Sequence, residues 1–454
     1  MTGCGSDLLD DRLNQVAKER GLTPLQTKPL AVSPKYLLGR ALFFDPILSG
    51  TGTVACADCH VFANGSSDGL PRSVGYGGIG LGPERVSEIP LGVVHKRNSQ
   101  DLWNRDHNSV TSMFWDGRID AGPPKARKFT TPPVNLDLSS YENLWAVQAI
   151  FPVLKPDEML HYSKASPHFS SLFDEFSGNQ LSEGVEDPPA QADLIEKRLT
   201  TQVVGGARPT DSQMAYRFLF SAAYEGLSPD QIKFHHIANA LAHYQELAFA
   251  TRNTPWDRYL SGEREAISED QKKGAIIFFG KGLCSECHKG QLFSDFEFHS
   301  IGVPSSYEKG DVIAMDFGRY EATKDPGDFF KYRTPPLRNV ALTAPYFHNG
   351  SEASLEEAIA QHSAPFRNAT SYRPDGTYTM SPSEPNAVSP ILARGLPLSD
   401  SDIKHLVDFL KSLSDLSVDV DSVIPDSVPS GLKDPQELRI RKELLWRAKE
   451  SLKN

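Results

Sequence analysis

Two short cysteine motifs constrain this chain more than any other feature of its sequence. They are Cys56-Ala-Asp-Cys59-His60 and Cys284-Ser-Glu-Cys287-His288. Cys-x-x-Cys-His is the attachment pattern for c-type haem. Two thiols at this spacing reach the two vinyl groups of one porphyrin, and the adjacent imidazole ligates the iron. The sequence therefore predicts two covalently bound haem c groups.

Other uses of paired cysteines fit the pattern less well. A thioredoxin-like redox pair belongs to a βαβ unit, and no such unit is evident around either motif. A zinc site would bring both pairs to one ion through short loops, whereas 284 − 56 = 228 positions separate the motifs. Haem attachment consumes all four cysteines, so it leaves no pair for a disulfide.

The fifth cysteine, Cys4, lies in Thr2-Gly3-Cys4-Gly5-Ser6, which is similar to the end of a bacterial lipobox. We expect Cys4 to be a lipid anchor, with an accidental resemblance as the alternative because no hydrophobic stretch precedes it. Covalent haem attachment itself implies an exported protein, so we expect a periplasmic location.

Composition excludes several classes of protein. The 454 residues are 39% hydrophobic and contain 47 Lys+Arg against 58 Asp+Glu, a balance of 47 − 58 = −11. This length predicts two or three folded domains. The acidic balance argues against a nucleic-acid partner and permits docking to a basic protein. The apolar runs are much shorter than the ~20 residues of a membrane span.

Helical periodicity and capping boxes predict a mainly α fold. We expect helices over residues 34–44, 228–250, 268–279, 354–362, 400–413 and 437–452. A helix, a haem motif, irregular chain and a terminal helix make up a cytochrome c domain, and this order occurs twice. We therefore predict two cytochrome c-like domains with long irregular loops, such as 65–92 and 372–397.

The predicted organisation has four parts. Residues 1–32 form an N-terminal segment and tether, 33–255 the first haem domain, 256–416 the second, and 417–454 a C-terminal arm and helix. The linker between the haem domains is predicted near residues 251–261. Residues 417–435 are rich in Asp, Ser and Pro, which indicates a linker or a wrapping arm.

Several further segments carry a family resemblance. They are Leu38-Gly-Arg-Ala-Leu-Phe-Phe-Asp45, Phe114-Trp-Asp-Gly-Arg118, Gln148-Ala-Ile-Phe-Pro152, Asp157-Glu-Met159, Asp257-Arg-Tyr-Leu260, Leu337-Arg-Asn339 and Thr343-Ala-Pro-Tyr-Phe-His348-Asn-Gly350. With the two haem motifs, they make residues 33–415 resemble the bacterial di-haem cytochrome c peroxidase family, which includes MauG. The stretch between Met159 and Ser228 is longer than the family pattern and is not carried over.

The resemblance implies roles for individual residues. The first haem, with His60 as its proximal ligand, would react with peroxide, and the second, with His288, would receive electrons. Trp115 matches the Trp that lies between the haems. Gln148 and Glu158, ten positions apart, match the distal pair, in which Glu158 would be the general acid/base.

The second haem departs from the family pattern. Family peroxidases place a Met on its distal side and MauG places a Tyr, whereas counting 14 positions from His348 reaches His362. We expect His362 to be the ligand, with Met315 and Met380 as alternatives. Imidazole in place of thioether should lower the reduction potential, because Met ligation raises it. That favours the MauG-like branch.

Two further sites follow from the resemblance. A loop histidine caps the first haem in many family peroxidases, and His95 and His107 lie in the corresponding region, although a haem open at rest is the alternative. A calcium ion between the haems would use Asn98, Thr343 and Pro345. Otherwise, Asn98 only makes a turn.

Three functions remain at this stage. The first is a peroxidase that reduces hydrogen peroxide with electrons from a small cytochrome c or copper protein. The second is a MauG-like oxidase that modifies Trp or Tyr of a partner protein. The third is a di-haem electron carrier. A homodimer is a candidate assembly for any of them.

Overall fold

The described residues are mainly helical, as predicted. The computed structural model describes the chain apart from residues 1–2, 27–28, 88–93, 122–128, 161–187, 201–209, 304–315, 366–387 and 453–454. The helices are α1 (Gly3–Glu19), α2 (Pro34–Phe44), α3 (Cys56–Cys59), α4 (Leu144–Leu154), α5 (Pro188–Thr200), α6 (Asp211–Ala223), α7 (Phe234–Ala248), α8 (Pro255–Leu260), α9 (Glu269–Phe279), α10 (Tyr320–Thr323), α11 (Leu355–Ser363), α12 (Asp400–Lys411), α13 (Val420–Val423) and α14 (Pro435–Ser451).

Strands are short and form three antiparallel pairs among the described residues. The pairs are β1 (Gly78–Ile79) with β2 (Val86–Ser87), β3 (Ser112–Met113) with β4 (Ile119–Asp120), and β5 (Phe298–His299) with β6 (Tyr332–Arg333). Long irregular segments connect the elements. Within the described ranges, no helix is both long enough and apolar enough to cross a bilayer.

The helix that precedes each haem motif packs tightly against a second helix. In α2, a Cβ on Gly39 would lie 2.0 Å from the carbonyl oxygen of Ala240 in α7. In α9, a Cβ on Gly274 would lie 1.9 Å from the carbonyl oxygen of His405 in α12. Two adjacent phenylalanines follow four positions after each glycine. Glycine therefore permits the same close helix crossing in both halves.

Two hydrophobic cores lie around these helix pairs. The first contains buried side chains of α2, α4, α6 and α7, and the second contains those of α9 and α12. In the first core, Tyr244 packs on Phe43 with ring centroids 5.1 Å apart. In the second, Phe409 packs on Phe278 at 5.2 Å. Each core thus supports the start of one haem motif.

The two ends of the chain cross over between the cores. Leu13 of α1 is buried in the second core, although α1 precedes the first haem motif. Val423, Leu438 and Leu445, from α13 and α14, are buried in the first core. Residues 417–435, predicted to be a linker or a wrapping arm, therefore contact the first core through Val423. The N-terminal segment that we expected to act as a tether includes α1, which is docked on α9 through an ion pair between Asp10 and Lys272 at 2.9 Å.

Most predicted helices agree with the structure, but the one expected over 228–250 begins later. Ser228 and Gln231 form their capping box around a single 3-10 turn, and α7 starts at Phe234. Ile232 and Lys233 are extended, and the Lys233 amide donates to the Nδ1 atom of His236 at 2.9 Å. The predicted capping box is present, but it caps the 3-10 turn and not the start of α7.

The predicted linker over 251–261 is also more ordered than expected. It contains α8, whose first turn is capped by the Thr254 hydroxyl, which accepts from the Asp257 amide at 3.1 Å. Asp257 is buried and forms two bonds with Arg338, at 2.6 and 2.9 Å. An ion pair of this kind fixes α8 against the second core.

Candidate active site

The first haem motif opens into a cavity of about 380 Å³. Cys56, Cys59 and His60 lie on one wall, at α3 and just beyond it. The lining also includes Gln148 from α4 and Glu158 from the short π-helix Pro156–Leu160 that follows it. The predicted attachment residues and the predicted distal pair therefore line one cavity.

The second haem motif opens into a separate, more apolar cavity of about 190 Å³. Its walls include Cys284, Cys287 and His288, and α11 places His362 among them. A capping box at Ser354 fixes the start of α11, which turns His362 inward from its last turn.

The three predicted iron-ligating histidines are oriented in the same way. Each Nδ1 atom lies within hydrogen-bond distance of a backbone carbonyl: His60 with Ser66 at 3.0 Å, His288 with Phe293 at 3.0 Å, and His362 with Ala358 at 2.8 Å. A carbonyl oxygen can only accept, so each Nδ1 carries the proton and each Nε2 keeps its lone pair. Metal-ligating histidines are commonly held in this tautomer.

His288 and His362 face each other across the second cavity. Their ring centroids are 6.4 Å apart. A bond from an imidazole nitrogen to a metal ion is about 2 Å long, so two imidazoles at this separation could reach one ion. The pair therefore would suit a role in holding the cofactor.

Burial shifts the pKa values of histidines and cysteines in both motifs. It lowers the pKa of His288 to about 4 and also lowers the pKa of His362, so both imidazoles are neutral. Burial likewise raises the pKa of the Cys56 and Cys284 thiols to about 12.

Glu158 and His60 line the same cavity, and the charge of Glu158 acts on His60. Burial lowers the pKa of His60, while its bond to the Ser66 carbonyl and the charge of Glu158 act in the opposite direction. The Glu158 carboxylate lies 3.5 Å from the Lys155 ammonium and is about one-fifth exposed. A carboxylate in this position can exchange protons with both the cavity and solvent.

Trp115 lies between the cavities and lines both of them. Its indole N–H donates to the Asn98 carbonyl at 3.0 Å, and its own carbonyl accepts from the Arg333 amide at 2.8 Å. One bond therefore holds the indole ring and the other holds the backbone of Trp115.

The other predicted haem ligands differ in whether they line a cavity. His95 lines the first cavity. His107 does not line it, because its ring bonds to Ser109 at 2.8 Å and to Gln291 at 3.0 Å. The alternatives Met315 and Met380 both lie outside the described residues.

Asn98, the expected calcium ligand, joins two parts of the structure. Its amide N–H donates to the His348 carbonyl at 2.6 Å, and its side-chain nitrogen donates to the Leu70 carbonyl at 2.7 Å. The Thr343 hydroxyl donates to the Val340 carbonyl at 3.0 Å. Calcium at Asn98, Thr343 and Pro345 remains a prediction.

Comparison with known proteins now decides the family. The model of the di-haem cytochrome c peroxidase family matches residues 33–265, just over half of the chain. This chain is a di-haem cytochrome c peroxidase family member. Such family members are oxidoreductases, and their cofactor is haem c.

Individual relatives agree with this assignment. The chain is 28% identical over 379 residues to methylamine utilization protein MauG of Methylorubrum extorquens, which covers 84% of this chain and 78% of that protein. It is 29% identical over 357 residues to cytochrome c551 peroxidase of Pseudomonas aeruginosa, which covers 78% of this chain and 79% of that one.

Solved structures share the fold. A MauG-like protein associated with microbial copper homeostasis superposes with a TM-score of 0.57 at 24% identity, covering 87% of this chain and 93% of that one. The diheme peroxidase BthA from Burkholderia thailandensis superposes with a TM-score of 0.57 at 21% identity, covering 87% and 91%.

Buried donors around the cavities provide a test of whether haem fits this family member. Among the buried side-chain nitrogens without a hydrogen-bond partner in the described residues, four belong to amide or guanidinium groups beside the cavities: Gln100 Nε2, Arg105 Nη1, Arg118 Nε and Arg333 Nη1. The first three residues line the first cavity, and Arg333 lines the second. A buried donor needs an acceptor, and the propionate carboxylates of haem are acceptors of the right charge. The donor set therefore fits haem in both cavities.

Sequence reasoning missed a buried ion-pair network between the cavities. Arg97 donates to Asp316 through two nitrogens, each at 2.7 Å, and to Asp116 at 2.7 Å. The ring of Tyr332 stacks on His348 with centroids 3.6 Å apart, beside this network. Arg97 and Asp316 are 219 positions apart, so no local sequence pattern could predict that they pair.

Proposed function

We propose that the protein reduces hydrogen peroxide to water with electrons from a small redox protein. The observation that carries this proposal is the arrangement of three side chains. Gln148 and Glu158 line the first cavity alone, while Trp115 lines both cavities. The first cavity thus has the proton-transfer groups, and Trp115 links it to the second.

The reaction is H2O2 + 2H⁺ + 2e⁻ → 2H2O, and haem, when bound, supplies its redox chemistry. The Glu158 carboxylate would take a proton from one peroxide oxygen and return it to the other, which then leaves as water. The Gln148 amide would donate a hydrogen bond that orients peroxide. Trp115 would carry the electrons that enter through the second cavity, where His288 and His362 hold the cofactor.

A MauG-like oxidation of Trp or Tyr on a partner protein is the second candidate. The facing imidazoles of His288 and His362 favour it, because two strong ligands give a lower potential than the Met–His pair of ordinary family peroxidases. A second haem with a low reduction potential would not remain in the ferrous state before peroxide arrives.

We further propose a periplasmic location, because covalent haem attachment implies export. A lipid anchor at Cys4 and a homodimer belong to the same proposal. The electron donor would be a small cytochrome c or cupredoxin, and a basic surface on it would suit the acidic net charge of this chain.

Low-temperature electron paramagnetic resonance of the ferric protein tests these functions. One high-spin and one bis-imidazole low-spin signal, both lost when one equivalent of peroxide is added without prior reduction, would indicate the MauG-like branch. Reaction only after one-electron reduction would indicate a peroxidase with a capped first haem and a role for His95. Two low-spin signals that never respond to peroxide would indicate an electron carrier and overturn both proposals.

A further inference from the structure

Asp58, between the two cysteines of the first haem motif, is held by the far end of the chain. Its carboxylate is 1% exposed. One oxygen accepts from the Ala55 amide at 2.9 Å. The other accepts from Lys433 Nζ at 2.7 Å and from Arg441 Nη2 at 2.5 Å. A carboxylate so deeply buried needs such partners to remain charged.

Arg441, in α14, also forms a hydrogen bond with the backbone of the motif. Its Nη1 donates to the Ala57 carbonyl at 2.6 Å, and Glu437 accepts from the same guanidinium at 2.6 Å. Glu437 lies 2.9 Å from Lys433 as well. Two cations and two carboxylates therefore form a neutral, largely buried cluster around residues 57 and 58.

The second haem motif lacks this arrangement among the described residues. Glu286 occupies the position that corresponds to Asp58, directly before the second cysteine. Its side chain is 45% exposed and lies 3.5 Å from Arg20, just after the N-terminal helix. The buried cluster is therefore a feature of the first motif and not a general requirement of haem attachment.

We propose that α14 and Lys433, just before it, position the first haem: Lys433 and Arg441 fix the segment from Cys56 to His60 and neutralise the carboxylate of Asp58. The segment also ends at the turn Phe62–Asn64, against which α14 packs. Lys433 and Arg441 are positioning residues, because they act through the motif and touch neither peroxide nor the cavity.

The charge of the cluster predicts the sign of its effect. If Arg441 is removed, the cluster gains one net negative charge close to the iron. Negative charge in a low-dielectric region favours the ferric over the ferrous state, so the potential of the first haem should fall. If Asp58 is neutralised instead, the cluster gains one net positive charge, and the potential should rise.

The experiment is a redox titration of the full-length protein with both haems, followed by electron paramagnetic resonance. The haem whose signal changes in His362→Ala is the second, and the other is the first. We expect Arg441→Met to shift the ferric/ferrous equilibrium of the first haem at least tenfold, or about 59 mV for one electron, with no shift in the second. Asp58→Asn should shift it in the opposite direction, and Asp58→Asn/Arg441→Met should return it toward the original value.

Glu286→Gln is the matched control, since it removes a carboxylate from the same position of the second motif and should shift neither haem at 45% exposure. If Arg441→Met does not fold, Asp58→Asn alone still tests the sign. Unchanged potentials in the folded variants, equal shifts in both haems, or no compensation in the double variant would overturn the proposal. The inference deepens the proposed function, because it concerns the haem assigned to peroxide. A potential does not depend on turnover, so failure of the peroxide assignment would leave this result intact.

Discussion

Glu158→Gln is the sharpest test of the proposed chemistry. The substitution preserves the size of the side chain but removes its ability to exchange a proton. General acid–base catalysis contributes about 10²–10⁴-fold to a rate, and we expect peroxide turnover to fall by that factor. Each factor of ten corresponds to about 1.4 kcal/mol, so the barrier should rise by about 3–5 kcal/mol.

The structure shows that lost stability cannot explain a fall of this size. Glu158 is about one-fifth exposed, and its closest ionic partner, Lys155, lies 3.5 Å away. A partly exposed pair of this kind contributes less than about 1 kcal/mol to folding. Both haem motifs should keep their cofactor, because the substitution changes no contact of Cys56 or Cys284.

The assay measures peroxide consumption with a chemical electron donor, normalised to haem content from the optical spectrum. Glu142→Gln is the matched control, since Glu142 is half-exposed, pairs with Lys35 at 2.6 Å and lies outside both cavities. It should retain full turnover. Near-normal turnover in Glu158→Gln, or an equal loss in both variants, would refute the assigned role of Glu158.

Three further predictions concern ligation and stability. His362→Ala should convert the low-spin ferric signal to high spin, and an unchanged signal would assign the ligand elsewhere. Asp257→Asn should lower the free energy of unfolding by about 3–5 kcal/mol, because Arg338 stays buried without its partner; denaturant titration checks this. Burial would raise the pKa of Asp316, but the hydrogen bonds and charge of Arg97 hold it well below its usual range. That pair therefore stabilises the fold above about pH 4, and its contribution should disappear as the pH falls through the depressed pKa, as thermal unfolding against pH would show.

Local sequence patterns predicted helices well where their caps were unambiguous. Ser268 and Ser354 start α9 and α11 as expected, because each hydroxyl accepts from an amide three residues on. The cap at Ser228 instead belongs to a 3-10 turn. A capping pattern predicts the first turn, but it does not predict whether a helix continues from that turn. For α8 the signal was present, as Thr254 followed by a proline is a typical helix start, but it fell inside a predicted linker.

Long-range pairing was beyond the reach of the sequence. The haem motifs could be found by spacing, because attachment chemistry fixes local geometry, whereas His362 was predicted only from the spacing of the family that the chain resembles. Residues 417–435, rich in Asp, Ser and Pro, resemble a linker, yet Lys433 and Asp58 are 375 positions apart and meet in a buried pair. Arginines are normally expected at the surface. The sequence therefore did not predict that Arg105 and Arg333 provide buried hydrogen-bond donors.

The crossed ends of the chain bear on how this protein can be activated. Asp10 of α1 binds Lys272 in the second half, Asp58 binds Arg441 of α14, and Arg97 joins Asp316 between the cavities. Breaking one buried pair costs about 3–5 kcal/mol. A rotation of one core against the other would break the Arg97–Asp316 pair and pull both terminal helices from their sites. A local rearrangement would keep all three pairs, so we expect activation to act on segments at the cavity wall such as the one that carries His95, with the separation of the haems unchanged.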